Sequence, residues 1–318
     1  MTRHTKLDLK DTVDRRRRNG PRQPSKDPKP LNKMKLKLLE NIHLYGGFST
    51  IELAHEIAVL ESFFSMKSSK YTSMLLNEMF HDNGVLEKPD KQFSVKNVYG
   101  TMRMNHVVPL VYKVSERGEE ILKESGLYNE YAPKAHGWYQ HQMMTSCLYQ
   151  MFYISARKTG VQFTAQHELK PKEKFIALPP KVKVFPDAVF ILHLAKPFLI
   201  FFEMDRATER GKGSKRKTWG KSIEHYKEIL SKKLYEANYD LPKNHLAFLN
   251  TVTVDGNMEK KILENINTQY PKGFARMLVS TTRAFGPTAT DFYPPKHFNI
   301  LNVLWERSGY PAVKFNIQ

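Results

Sequence analysis

Residues 182–205 read VKVFPDAVFILHLAKPFLIFFEMD, and the fold turns on this stretch. Val182–Leu194 has the β-branched and aromatic content of a strand, with a Pro186-Asp187 step near its start. Lys196-Pro197 marks a turn, and Phe198–Asp205 reads as a second, very apolar strand ending in Glu203-Met204-Asp205. Side chains on a strand alternate faces, so Glu203 and Asp205 share one face, while Asp187 lies on the neighbouring strand of the hairpin. Three carboxylates are thus expected at one edge of a sheet. Carboxylates that converge repel each other unless they bind a hard cation such as Mg2+ or Mn2+. A phosphodiester-cleaving site uses such a cation to offset phosphate charge and to activate a nucleophile.

Immediately downstream lie Arg206, Arg210, Lys212, Lys215, Arg216 and Lys217, then Lys221, with Glu209 as the one acid and Gly211 and Gly213 inside the run. This reads as a basic loop beside the acidic cluster, with the metal on the acids and a phosphate backbone on the lysines and arginines. Taken singly, the loop is what any solvated loop would show, and the carboxylates could fan into water. Together they point to a metal-dependent nucleic-acid site.

Around this hairpin the chain alternates strands and helices. A helix is expected from Thr218-Trp219-Gly220 to about Leu234, with Ile223, Tyr226, Leu230 and Leu234 inward and Lys221, His225 and Glu228 on another face. Strand 246–252, helix 258–269 and strand 275–281 give a βαβ unit and a mixed α/β sheet. Upstream, a long helix is expected over Tyr139–Arg157, ending at Gly160, with Met144, Leu148 and Phe152 along one stripe. His141 lies on or beside that stripe and reads first as a satisfied core histidine. Val161–Thr164 and Glu168 read as short and extended.

The segment before this core has different parts. Helices are expected over Lys35–Leu44, after a Ser49 or Thr50 cap, and over Ser68–His81, stopped at Asp82-Asn83-Gly84. Extended runs at Gln92–Met104 and Val107–Val114 follow, then a short helix capped by Ser115. Three helices, a hairpin and a closing helix are the parts of a winged helix-turn-helix. Lys67 and Lys70 stand at the start of its third helix as candidate DNA contacts, followed by Asn77, Glu78 and Asp82. Packing or dimerisation is an equally open use of such a domain. The expected organisation is a disordered basic arm over 1–34, a winged helix over 35–131 and an α/β domain over 132–318.

Charge divides along the same lines. The chain of 318 residues has 50 Lys+Arg against 32 Asp+Glu, a net +18. Residues 1–36 carry +8, residues 37–131 carry −3, and residues 132–318 carry +13. The arm and the core, not the winged-helix segment, carry the charge that suits a polyanion. A hydrophobic content of 41% and an aromatic content of 12% exclude a disordered chain. The lone Cys147 excludes an internal disulfide and a multi-cysteine zinc site. No apolar stretch approaches a bilayer span and no secretory leader is evident, so a cytoplasmic protein is expected.

Pro186-Asp187, a hairpin and Glu203-Met204-Asp205 resemble the PD-(D/E)XK restriction-endonuclease-like superfamily. More narrowly, Phe202-Glu203-Met204-Asp205-Arg206-Ala207-Thr208-Glu209, followed by a helix with Lys221 and Tyr226, resembles the replication-relaxation family. An N-terminal winged helix on such a core is that family's layout, and the resemblance covers roughly 37–285. It implies action on plasmid DNA, in replication or relaxation, and similarity to relaxases with a nuclease-like core. On matching positions it implies Asp187 and Glu203 as ligands of Mg2+ or Mn2+, with Asp205 as a further acid. The superfamily's lysine position, two residues after the acid, is Asp205 here, so Lys221 is the candidate replacement, to stabilise the phosphorane or orient water. His141 matches a histidine of the first core helix. The reading expected from this is metal-dependent DNA nicking or relaxation, with plasmid or mobile-element DNA and other relaxosome or replication proteins as partners. The alternative is a non-catalytic DNA-binding initiator or mobilisation accessory protein with a degenerate core. A third class, binding to an anionic membrane surface, rests on the arm alone.

Overall fold

The computed structural model describes residues 30–62, 68–89, 110–134, 139–179, 181–205, 219–253, 256–281 and 299–315. The proposed basic arm over 1–34, except its last five residues, lies outside them, as does the extended run Gln92–Met104.

Local caps set the N-terminal elements. Asn32 accepts from the Lys35 N–H and starts α1 (Lys33–Leu44). A two-glycine turn leads to β1 (Phe48–Thr50), where Thr50 accepts from the Leu53 N–H and opens α2 (Ile51–Leu60). α3 (Lys70–Glu78) widens into a π-turn, Met79–Asn83, and stops at Gly84, whose φ of 68° suits glycine. β2 (Leu86–Glu87) and β3 (Val111–Val114) follow, and Ser115 caps α4 (Glu116–Glu124) by accepting from the Gly118 N–H. The three strands form an antiparallel sheet in the order β1-β3-β2. Leu38, Leu39, Ile42, Leu75, Leu76, Met79, Tyr112 and Leu122 form a core between it and the helices.

α5 (Tyr139–Lys158) ends near Gly160, where the expected break falls. β4 (Gln162–Thr164) comes next, and then a helical turn, α6 (Gln166–Leu169), where extended chain was expected. Glu168 explains the difference. Its carboxylate reaches back to the Ala165 N–H, closing the turn on itself.

The expected strand Val182–Leu194 is two strands. β6 (Val182–Val184) pairs with β5 (Ile176–Leu178) in a small sheet of its own. β7 (Ala188–His193) belongs to the large sheet. The break falls at Phe185-Pro186-Asp187, because proline has no N–H to give a ladder. β8 (Pro197–Asp205) then pairs antiparallel with β7, Ala188 opposite Phe202.

α7 (Trp219–Ser231), β9 (Leu246–Thr253), α8 (Gly256–Gln269) and β10 (Met277–Thr281) complete two parallel crossovers. β11 (Trp305–Arg307) and β12 (Tyr310–Val313) add an antiparallel edge that was not expected. The mixed seven-stranded sheet has the order β12-β11-β10-β9-β8-β7-β4. α5 covers one face through Phe152 against Phe190 and Phe202. α7 and α8 cover the other, where Tyr226, Ile229 and Ile262 meet Val189, Phe201 and Leu249. The chain is therefore mixed α/β, with helices on both faces of a mixed sheet.

α5 also holds the N-terminal elements. Tyr45, Phe48, Leu53 and Ile57 share its apolar cluster. Ser49 Oγ donates to Gln150 Oε1 at 2.7 Å, and Ser146 Oγ donates to the Gly46 carbonyl at 2.8 Å. The packing is continuous across the expected boundary at residue 131.

Candidate functional site

The hairpin β7–β8 builds the site. Asp187 stands one residue before the ladder, and its N–H donates to the Phe202 carbonyl at 3.1 Å. Continuing the register sets it opposite Glu203, across the hairpin. Asp187 and Glu203 are each 6% exposed and Asp205 is 3% exposed, so none of the three fans into water.

Each carboxylate meets its own donor. Asp187 Oδ1 lies 2.9 Å from His141 Nε2, and Oδ2 accepts the Met204 N–H at 2.8 Å. His141 arrives from the start of α5, so the long helix delivers one group of the site to the end of the sheet. His141 is thus a satisfied histidine, and its partner is a buried carboxylate. Glu203 Oε1 accepts from the Tyr226 hydroxyl, which reaches up from α7. Asp205 Oδ2 accepts from Thr253 Oγ1 at 3.2 Å, the residue beside it in the parallel pairing of β8 and β9.

Tyr226 is fully buried. Burial first, then the Glu203 carboxylate and the more distant Asp187 carboxylate, hold its phenol well above the usual tyrosine range. Its hydroxyl is buried and donates to Glu203.

The three expected carboxylates all stand at this end of the β7–β8 hairpin. Continuing the register sets Asp187 across the hairpin from Glu203, while Asp205 lies two residues further along β8 and is bonded toward β9. Among the described residues no group of three or more His, Cys, Asp or Glu is spaced to hold a metal ion. The paired carboxylates offer the hard oxygen donors that Mg2+ or Mn2+ takes, and His141 stands behind Asp187 as an orienting partner. The donor chemistry fits a divalent cation at Asp187 and Glu203.

Lys221 lies in the first turn of α7 and is exposed. It stands five positions before inward-facing Tyr226 on the helix, about 140° around the axis. Among the described residues it makes no ion pair with the three acids. Arg206, Arg210, Lys212, Lys215, Arg216 and Lys217 lie in 206–218, outside the described residues, as does Lys67. Lys70 is the exposed first residue of α3, at the N-terminal unit.

Sequence reasoning missed Thr253 and the Met204 N–H as partners, and took Tyr226 as inward without naming its contact. The signal for Tyr226 was its helical phase; which acid it met required the β8–α7 crossover. Comparison with protein-family models, curated proteins and solved structures gives no match to this chain.

Proposed function

We propose that the chain nicks or relaxes plasmid or mobile-element DNA in a metal-dependent reaction, on a PD-(D/E)XK-like core with an N-terminal winged helix. The observation that carries this reading is the buried Asp187–Glu203 pair at the C-terminal end of β8. From that strand end the chain runs directly into the basic segment 206–217. Two buried carboxylates side by side are costly unless a proton or a cation is shared between them. Open α/β sheets also favour ligands at the carboxyl ends of their parallel strands.

In this reading Asp187 and Glu203 hold Mg2+ or Mn2+, which would supply charge neutralisation at phosphate and a more acidic water. His141 orients Asp187, Tyr226 orients Glu203, and Asp205 adds negative charge beside Thr253. Arg206, Arg210, Lys212, Lys215, Arg216 and Lys217 hold the phosphate backbone, and Lys221 approaches from solvent with the substrate. The antiparallel order β1-β3-β2 with three preceding or interleaved helices supports the winged-helix reading, with Lys70 at the start of its third helix. Among the described residues no helix is long and apolar enough to cross a membrane.

The test is nicking of supercoiled origin-containing plasmid with Mn2+. Wild type is expected to yield open circles. Asp187→Asn and Glu203→Gln are expected to lower the rate at least about 100-fold, and His141→Ala about 10- to 100-fold. Equal nicking by the carboxylate variants contradicts the reading.

The exposed position of Lys221 favours a second reading, a non-catalytic DNA-binding initiator or mobilisation factor. It is distinguished by metal-independent origin binding that the carboxylate variants leave unchanged, with no open circles from wild type.

A further inference from the structure

The small hairpin β5–β6 leads straight into Asp187 and has a chemistry of its own. Its register pairs Ile176 with Val184, Ala177 with Lys183 and Leu178 with Val182. Ile176, Leu178 and Val184 turn into the core beneath α7. By alternation, Phe175, Ala177, Lys183 and Phe185 occupy the opposite face. Continuing the register sets Phe175 beside Phe185, and their ring centroids lie 5.6 Å apart. Phe185 is 38% exposed, one of few large hydrophobic side chains so open to solvent. Ala177 is small, which leaves Lys183 free to lean diagonally, its Nζ 4.0 Å from the Phe175 ring centroid.

This face is rigid. Asn238 Oδ1 accepts the Glu173 N–H at 2.6 Å, and Nδ2 donates to the carbonyls of Glu173 at 2.8 Å and Phe175 at 3.3 Å. The surrounding charge is mostly positive, although Lys174 lies 3.7 Å from Glu130. Lys170, Lys172, Lys174, Lys181 and Lys183 are all exposed, against Glu173 alone over residues 170–185.

An exposed, anchored aromatic among lysines matches the way proteins hold single strands. Bases stack on the ring and the backbone follows the cations. In a duplex each base face is covered by its neighbours, so only an unpaired base can reach such a ring. Phe185 is two residues from Asp187 along the chain, so the hairpin leads into the candidate site.

We propose that the β5–β6 hairpin is a stacking platform for unpaired DNA bases, with Phe185 as the stacking ring and Lys183 and its neighbours as phosphate contacts. It rests on the nucleic-acid reading of the site but not on cleavage there.

The test is fluorescence anisotropy of the full chain, in EDTA and at fixed salt, with labelled oligothymidine of about a dozen nucleotides and with a mixed-sequence duplex of similar length. Phe185→Ala is expected to weaken single-strand binding about tenfold and duplex binding less than about twofold, with Phe185→Trp restoring the single-strand affinity. Lys183→Ala is expected to weaken both and to flatten the salt dependence. Unchanged single-strand binding by Phe185→Ala, or an equal loss on both probes, overturns the platform. Selective loss in a protein that does not nick upholds the platform and removes only the catalytic reading; nicking without that selectivity does the reverse.

Discussion

Asp187 shows what one residue owes to its surroundings. Its carboxylate is gripped by His141 and the Met204 N–H, and it faces a second buried acid whose own donor is Tyr226. The sequence alone brings out the acids, because period two puts Glu203 and Asp205 in phase and the Pro186-Asp187 step stands on the neighbouring strand of the hairpin. Their donors come from α5, α7 and β9, which the chain assembles only in three dimensions, so no local pattern announces them. Tyr226→Phe tests this scale. It keeps the ring and removes the one hydroxyl donor, leaving a buried carboxylate oxygen short of a partner. Urea unfolding at neutral pH is expected to show a loss of about 1–3 kcal/mol; an unchanged midpoint would mean that the phenol does not anchor Glu203.

At the scale of elements, most helices and strands lie within a few residues of where periodicity and caps put them. Thr50, Ser115 and Gly84 mark their boundaries by chemistry that needs no tertiary context. The exceptions have physical causes. Pro186 splits one apolar run between two sheets, Glu168 closes a turn by accepting from the Ala165 N–H, and β11 and β12 are too short to stand out by composition. α5 is the element with the widest reach: its start supplies His141, and its middle grips the turn at Gly46-Gly47. Gly46 has φ of 109°, and a Cβ there would run into Ser146 Oγ. Gly46→Ala therefore faces both backbone strain and a clash, and is expected to cost about 2 kcal/mol or more, read as a clear fall in melting temperature. Gly47 has open space around it, so Gly47→Ala, strained at φ of 82° but free of a clash, is expected to fall less.

Across the whole molecule, the +18 divides into a basic arm mostly outside the described residues, a slightly acidic N-terminal unit and a basic α/β core. The expected domain boundary at residue 131 is legible as a change in composition, yet the apolar cluster of α5 runs through it. Burial of buried polar groups couples this packing to pH. His43, stacked on Tyr128, and His167, edge-on to Tyr45, are both pushed below the usual histidine value chiefly by burial. A depressed histidine pKa means that the unfolded chain takes up the proton first. Stability is then full above about pH 6.5 and declines as pH falls below it. Urea midpoints are expected to drop between pH 7.5 and pH 5, and a flat or rising profile would contradict this burial. The claim on which the functional account depends is the cation at the Asp187–Glu203 pair, and a crystal soaked in Mn2+ addresses it most directly. An anomalous peak between these two carboxylates, lost in Asp187→Asn, is the predicted result; full occupancy of the crystal by Mn2+ elsewhere, with Tyr226 still donating to Glu203 and no peak at the pair, would contradict it.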